Sequence, residues 1–400
     1  MPSALLPIFL IIVVDILGMT MLYPLLPFYA EHHGAGPLGA GLLVSVYAVC
    51  QLFGGPLLGR LSDTTGRKPL LLVSQIGTLF GFVLLALADS LWLIFLSRII
   101  DGITAGNISL AQAYIADVTK PEERTKSFAV IGIAFGLGFL IGPAVSGYLA
   151  QFSYSYPIYA AIALSATSIL ATAVLLPATK PSASPERRLS IFGWGAYAAY
   201  FRQPGLSSLL WQFFAFMLCF SLFMSGFPLF AERRFTWEGH AFGAKEVGYI
   251  YAYVGVLGII LQGGLIGRMA KTFGDWNLVR GGLFLAAIGF TALAWSFSVR
   301  SLLIVTAAVA CGTGVVRPAL TSLVTQLTHK SEQGSVLGLT QSLQSVAMIV
   351  APFAAGLMIE HGHLHLWALV AAMCAGIGLV VRKPVPLSQQ VETEQIPSQR

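Results

Sequence analysis

Twelve runs of about 20 apolar residues, separated mostly by short polar loops, dominate this chain, and 20 such residues are what a helix needs to cross a bilayer. Their approximate limits are 4–28, 38–59, 70–88, 91–115, 127–150, 157–176, 206–230, 246–267, 277–297, 301–324, 336–358 and 364–381. Alternating segments of about 10 residues, the mark of a membrane β-barrel, are absent from the pattern, which leaves helices as the spanning element. Composition agrees. Only 10% of the 400 residues are charged, against about 25% in soluble domains, so the chain cannot cover a water-facing surface. The first run has no positively charged leader and exceeds the roughly 7–15 residues of a signal-peptide core, so it reads as a span and not a cleaved signal. The expectation is an all-α integral membrane protein with twelve transmembrane helices.

Charge sets the orientation. With the N-terminus inside, seventeen of the 23 Lys and Arg fall in inner segments, four in outer loops (Arg233, Arg234, Lys245, Arg300) and two, Arg98 and Arg317, inside spans. That bias predicts both termini in the cytoplasm. It also accounts for the net charge of +6 without nucleic acid. The longest polar break begins Pro177-Ala-Thr-Lys-Pro-Ser and divides six spans from six. The expected organisation is an N-terminal six-helix bundle (1–180), a cytoplasmic linker (181–205), a C-terminal six-helix bundle (206–382) and a cytoplasmic tail (383–400). The halves repeat weakly at an offset of about 208. Gly59-Arg-Leu-Ser-Asp-Thr-Thr-Gly-Arg-Lys follows span 2, and Gly267-Arg-Met-Ala-Lys-Thr-Phe-Gly-Asp-Trp follows span 8. Asp63 is replaced by Lys271 and Arg67 by Asp275 in that alignment. Parallel six-span repeats with a site between them are a transporter architecture.

Four motifs sharpen this. Gly59-x-x-x-Asp63-x-x-Gly66-Arg67-Lys68 lies between spans 2 and 3. Span 1 carries Asp15, Gly18, Pro24 and Pro27. Span 4 carries Arg98-Ile-Ile-Asp101-Gly102 and ends at Asp117, with Arg124 beyond. Span 5 carries Gly132, Gly136, Gly138 and Gly142-Pro143. With these residues the chain resembles the major facilitator superfamily, and within it the twelve-span drug:proton antiporters of the tetracycline-efflux type. The resemblance implies two pseudo-repeated bundles and alternating access. It implies a cytoplasmic latch made by Gly59, Asp63, Gly66, Arg67, Asp117 and Arg124, and an antiporter motif at Gly138, Gly142 and Pro143 that seals the path against proton leak. Tetracycline pumps also place acids in spans 3 and 9, and this chain has none there, which argues against assuming a tetracycline–metal chelate as substrate.

Charges within spans are costly, by about 2.5–3.5 kcal/mol on insertion scales, and mark function. Away from the span ends there are four: Asp15, Arg98, Asp101 and Arg317. At about 1.5 Å rise per residue, Asp15 and Asp101 lie near the midplane. A proton carrier must exchange its proton near ambient pH, and an isolated carboxylate in low dielectric is suited to that. Asp15, with no basic residue in its own span, is the first candidate. Arg98 sits one turn from Asp101 and the two form a switch or a structural pair. Arg317 has three open fates: contact with an anionic part of the substrate, pairing with an acid, or snorkelling to the interface. Tyr47 and Gln51, Asn107 and Gln112, Gln212, Tyr253, and the stripe Gln341, Gln344 and Ser345 are the remaining candidates for lining a substrate cavity.

The four cysteines lie in spans without metal spacing and read as small apolar residues. His361-Gly-His-Leu-His has no supporting carboxylate beyond Glu360, so no metal site is expected. No His-Glu-x-x-His, phosphate loop or Cys-x-x-Cys is present, so neither an enzyme nor an ATP-driven pump is expected. No cofactor is expected either, the proton gradient being the energy source. The expected partners are a small amphipathic molecule, protons and the bilayer, for a monomer in a bacterial inner membrane. The expected function is proton-coupled export of small amphipathic compounds, of multidrug or tetracycline-like kind. Solute uptake by symport and lipid or lysolipid flipping on the same fold are the rivals.

Overall fold

The computed structural model describes residues 5–119, 124–177, 199–328 and 333–381. Helices occupy every predicted run. The first half contains α1 (Leu5–His32), α2 (Pro37–Thr65), α3 (Arg67–Ala86), α4 (Leu91–Ile103), α5 (Asn107–Val118), α6 (Arg124–Ala150) and α7 (Ser155–Leu175). The second contains α8 (Pro204–Arg234), α9 (Ala244–Ile260), a π-helical turn (Leu261–Leu265), α10 (Ile266–Phe273), α11 (Asp275–Ala294), α12 (Val299–Gln326), α13 (Gln333–Glu360) and α14 (Leu364–Val380). A two-residue hairpin, Thr236–Trp237 against His240–Ala241, joins α8 to α9. Ten helical stretches among the described residues are long and apolar enough to cross a membrane, and α14 is a shorter apolar helix. The eighth predicted run is α9, the π turn and α10 in series, so length and apolarity alone do not reach the expected twelve. Most of the expected linker, 181–198, and the tail, 383–400, lie outside the described residues.

Two interruptions have local causes. Span 4 breaks at Thr104-Ala105-Gly106, where helical hydrogen bonding lapses. In hydrocarbon, freed backbone groups need a partner from within the protein. Ser74 on α3 supplies it, donating to the Thr104 carbonyl at 2.5 Å and accepting from the Gly106 amide at 2.9 Å. The break admits close packing: a Cβ on Gly54 of α2 would collide with the Ile103 carbonyl. The π turn lies where Gln262 reaches the Gly314 carbonyl of α12 at 3.5 Å. Single π turns inside helices occur frequently at functional sites.

The halves meet along two glycine-lined seams. On the first, α2 lies against α13: a Cβ on Gly41 would collide with the Pro352 carbonyl, and one on Gly356 would sit 2.5 Å from the Pro37 carbonyl. Ser45 donates to the Ile349 carbonyl at 2.7 Å, and Glu360 accepts from the Leu38 amide at 2.9 Å. On the second, α6 lies against α9, with Gly248 facing Pro143 and Gly147, and Gly255 facing Phe139 and Leu140. Small residues let helix backbones approach, which is how helices bind each other where lipid removes the hydrophobic drive. These contacts lie toward the face that bears the α1–α2 and α13–α14 turns, here the far face. Toward the opposite face, where α1 begins and α14 ends, the halves diverge. There α10 buries no residue, and Gln262, Arg317 and Gln341 are exposed although each lies within a helical span. Large apolar side chains exposed on the outside, such as Phe53, Leu57, Ile76, Ile133, Leu170, Ile288 and Ile304, form the lipid-facing surface.

Candidate functional site

Asp15 points into the N-terminal half, between α1, α3 and α7. Gln75 Nε2 approaches its carboxylate at 3.4 Å and donates to Ser168 Oγ at 2.8 Å. Ser168 also lies beside the Asp15 carboxylate. Gln75 and Ser168 are buried, at 0% and 1% exposure, while Asp15 is half-buried. A carboxylate flanked by two neutral polar side chains, with no ion pair among the described residues, can take up or release a proton without breaking a salt bridge. Neither Gln75 nor Ser168 was singled out from the sequence, since isolated Ser and Gln in spans commonly serve as interhelix ties.

Arg98 and Asp101 form the ion pair that their spacing suggested. Arg98 Nη1 lies 3.1 Å from Asp101 Oδ2, with the side chains 4% and 7% exposed. The pair closes the last turn of α4, just before the break. Arg98 is 5.9 Å from the Phe82 ring, Thr78 lies beside Asp101, and Arg98 Nη2 is buried with no hydrogen-bond partner among the described residues. Tyr47 lies within electrostatic range of both members and of Tyr23, and accepts from Gln51 Nε2 at 3.3 Å. Tyr47 and Gln51 are therefore brought to the ion pair, on the half-buried side of α2.

The loop motif assembles around Arg67. Its guanidinium meets Asp63 at 2.5 Å and Asp117 at 2.8 Å, and donates to Ser62 Oγ at 2.6 Å and the Gly59 carbonyl at 3.4 Å. Gly66 turns the chain at φ 95°, a conformation that favours glycine. The Arg124 side chain lies outside the described residues. The repeat reproduces this geometry with exchanged chemistry. Gly274 turns at φ 76°, and Asp275, at the position of Arg67, accepts from Ser322 at 2.7 Å and Gln326 at 3.0 Å on α12. In each half this corner ties the start of one helix to the end of the following span.

At the glycines of α6, a Cβ on Gly138 would collide with Ile16 and one on Gly142 with Thr20. Thr20 Oγ1 donates to the Gly138 carbonyl at 2.8 Å. Just beyond, Pro143 and Gly147 form the seam with α9. Thus α6 is wedged between α1 and the C-terminal half.

Between the halves, Arg317 of α12 donates to Gln344 Oε1 of α13 at 3.1 Å and stands 6.0 Å from the Phe135 ring of α6. Phe135 stacks on Phe139, and Phe139 on Tyr23 of α1, at centroid distances of 6.5 and 5.8 Å. Gln341 is exposed one turn from Gln344. Other expected lining residues sit differently. Gln212 is fully buried and donates to the Gly378 carbonyl at 2.7 Å, a tie between α8 and α14. Ser345 is buried and donates to the Gln341 carbonyl of its own helix. Asn107 opens α5 with Oδ1 buried and unpartnered among the described residues, Gln112 is exposed, and Tyr253 is half-buried on α9. The aromatic wall went unread in the sequence because Phe and Tyr in a span signal packing or interfacial anchoring by default.

Two pseudo-repeated helical halves, closed on one face and parted on the other around mid-span polar groups, define a membrane carrier of the alternating-access kind. The Major Facilitator Superfamily model matches residues 8–352 and 265–397, and the chain belongs to that superfamily. It is 30% identical to the tetracycline resistance protein, class D, of Salmonella ordonez, over 94% of this chain and 97% of that protein. It is 26% identical to multidrug resistance protein 2 of Bacillus subtilis (strain 168), over 92% of each. The crystal structure of the human organic anion transporter MFSD10 (TETRAN) superposes with TM-score 0.73 and 25% identity, covering 95% of this chain and 99% of that one.

Proposed function

We propose that this protein is a proton-coupled secondary transporter that exports small amphipathic compounds by alternating access. The observation that carries the reading is the arrangement of Asp15: a carboxylate without an ion pair among the described residues, inside one half of a carrier whose halves part around a separate polar site. Its relatives include tetracycline and multidrug resistance proteins. A proton on Asp15 removes a charge from α1, the helix that contacts α6, and so alters how that half packs in each access state. Uptake by symport and lipid flipping are the less favoured readings. The glycine–proline packing of α6 on α1 and α9 supports a sealed, antiport-type seam over either of them.

The orientation belongs to the proposal. The Lys and Arg bias puts the face bearing both termini in the cytoplasm, so the described conformation faces inward. A bacterial inner membrane and a monomeric carrier, working without a cofactor or enzymatic step, complete the reading. The test uses everted vesicles with an acidic lumen and a dye reporting the pH gradient. An amphipathic drug is expected to collapse the gradient with the wild type and not with Asp15→Asn. Equal collapse with both would place the carrier group elsewhere, and no response to any compound would remove the export reading.

A further inference from the structure

We infer that Arg317 is the anchor for a negatively charged group on the transported compound, and that the substrate class is an amphipathic organic anion with a planar ring beside its charge. This rests on the transport reading above and narrows its substrate. Of the three fates open to Arg317, pairing with an acid does not occur among the described residues: its described polar partner is the neutral Gln344 amide. Snorkelling would take the guanidinium to the membrane face. Instead it lies between the halves, 6.0 Å from the ring of Phe135 on α6 and within electrostatic range of Tyr23 on α1.

A guanidinium presents five N–H donors in a planar fork suited to a carboxylate. Gln344 takes one edge through Nη2. In the inward-facing form the side chain is exposed, so water solvates the charge. Alternating access requires the cavity to close, and closure strips that water. An unpaired cation in a low-dielectric site is costly, and an anion supplied by the cargo removes the cost. The compound thereby stabilises the closed form more than the empty carrier does, which is what lets cargo drive the transition.

The surroundings define the rest of the ligand. Phe135, Phe139 and Tyr23 form a run of near-parallel rings, with interplanar angles of 22° and 21°, on the N-terminal half. Arg317, Gln344 and Gln262 stand on the C-terminal half. A flat apolar body laid along the rings, with its anionic end on Arg317, touches both halves at once. A purely cationic drug meets repulsion at the same place.

The experiment measures equilibrium binding to the purified full chain in detergent, by quenching of intrinsic fluorescence. The probes are pyrenebutyrate, its methyl ester and the amine of the same skeleton. Wild type is expected to bind the carboxylate tighter than the ester by on the order of tenfold, from charge-assisted hydrogen bonding. Arg317→Gln should erase that preference while keeping the ester's affinity, and Arg317→Lys should retain part of it. Thermal melting of each variant separates misfolding from loss of the anchor. Equal binding of acid and ester by wild type, preference for the amine, no binding of the carboxylate, or an unchanged preference in a folded Arg317→Gln would overturn the assignment. Displacement of the probe by phosphatidylglycerol and not by phosphatidylcholine would give the site to a lipid headgroup, and would also overturn it. Binding needs no gradient, so failure of proton coupling in vesicles and failure of this anion preference are read independently.

Discussion

Arg98→Ala would leave Asp101 as a carboxylate only 7% exposed, one turn from the helix break. Removing one member of a buried ion pair costs about 3–5 kcal/mol, whereas removing both is far milder, because the penalty is the uncompensated charge. We therefore expect Arg98→Ala and Asp101→Ala each to lower the melting temperature in detergent strongly, and the double variant to recover most of the loss. Equal losses in the singles and the double would mean that the two groups are not coupled. At this scale the sequence was legible wherever a residue was expensive in lipid. Asp15, Arg98, Asp101 and Arg317 all stood out for that reason, and the spacing of Arg98 and Asp101 predicted their contact. Gln75 and Ser168, which flank Asp15, and the rings of Tyr23, Phe135 and Phe139 did not stand out, because side chains of these kinds are ordinary in a packed span. Gln212 shows the converse. An amide in a span invites a cavity reading, yet here it joins α8 to α14.

Among helices, the glycines of α6 set the distance to α1. A Cβ at Gly142 collides with Thr20 Oγ1 and would lie 3.0 Å from Thr20 Cβ. Overpacking of this kind typically costs about 1–3 kcal/mol. Gly142→Ala is expected to lower thermal stability by that order and to weaken drug-dependent proton flux. Adding Thr20→Ala removes the hydroxyl and should restore part of the stability, with the lost bond to the Gly138 carbonyl limiting the gain. If Thr20→Ala only adds its own loss, the collision is not what Gly142 avoids. Helix positions were readable from apolar run length, but interruptions within runs were not. The break in span 4 depends on Ser74, some thirty residues away in sequence, satisfying Thr104 and Gly106. The π turn at Leu261–Leu265 leaves no mark on apolar periodicity at all. Both hinge on partners from other helices, which a single run does not contain.

For the whole molecule, the offset repeat announced two halves, and the swap of Arg67 for Asp275 proved to be one corner built twice with opposite charge. How the halves sit against each other was not legible, since it depends on which glycines face across the seam. On the far face one ion pair also bridges them: Arg233 of α8 lies 2.5 Å from Glu31 of α1, with Glu232 2.8 Å from the same guanidinium. Glu31 is 18% and Arg233 31% exposed, so solvent screens the pair and its worth is about 1 kcal/mol or less. That is small for stability but enough to tilt a two-state equilibrium by a fewfold factor. Breaking the pair should favour the form open on the far face. With the four native cysteines replaced and Tyr47→Cys as reporter, labelling by an impermeant maleimide added to the far face should rise about threefold in Glu31→Arg or Arg233→Glu. The charge-swapped double, which restores attraction across the same gap, should return labelling toward the starting level. A rise in the singles that persists in the double would assign the effect to side-chain loss and not to the bridge. Unchanged labelling throughout would leave the closure of that face to the glycine seams alone, with Ser45 and Glu360 as their polar ties.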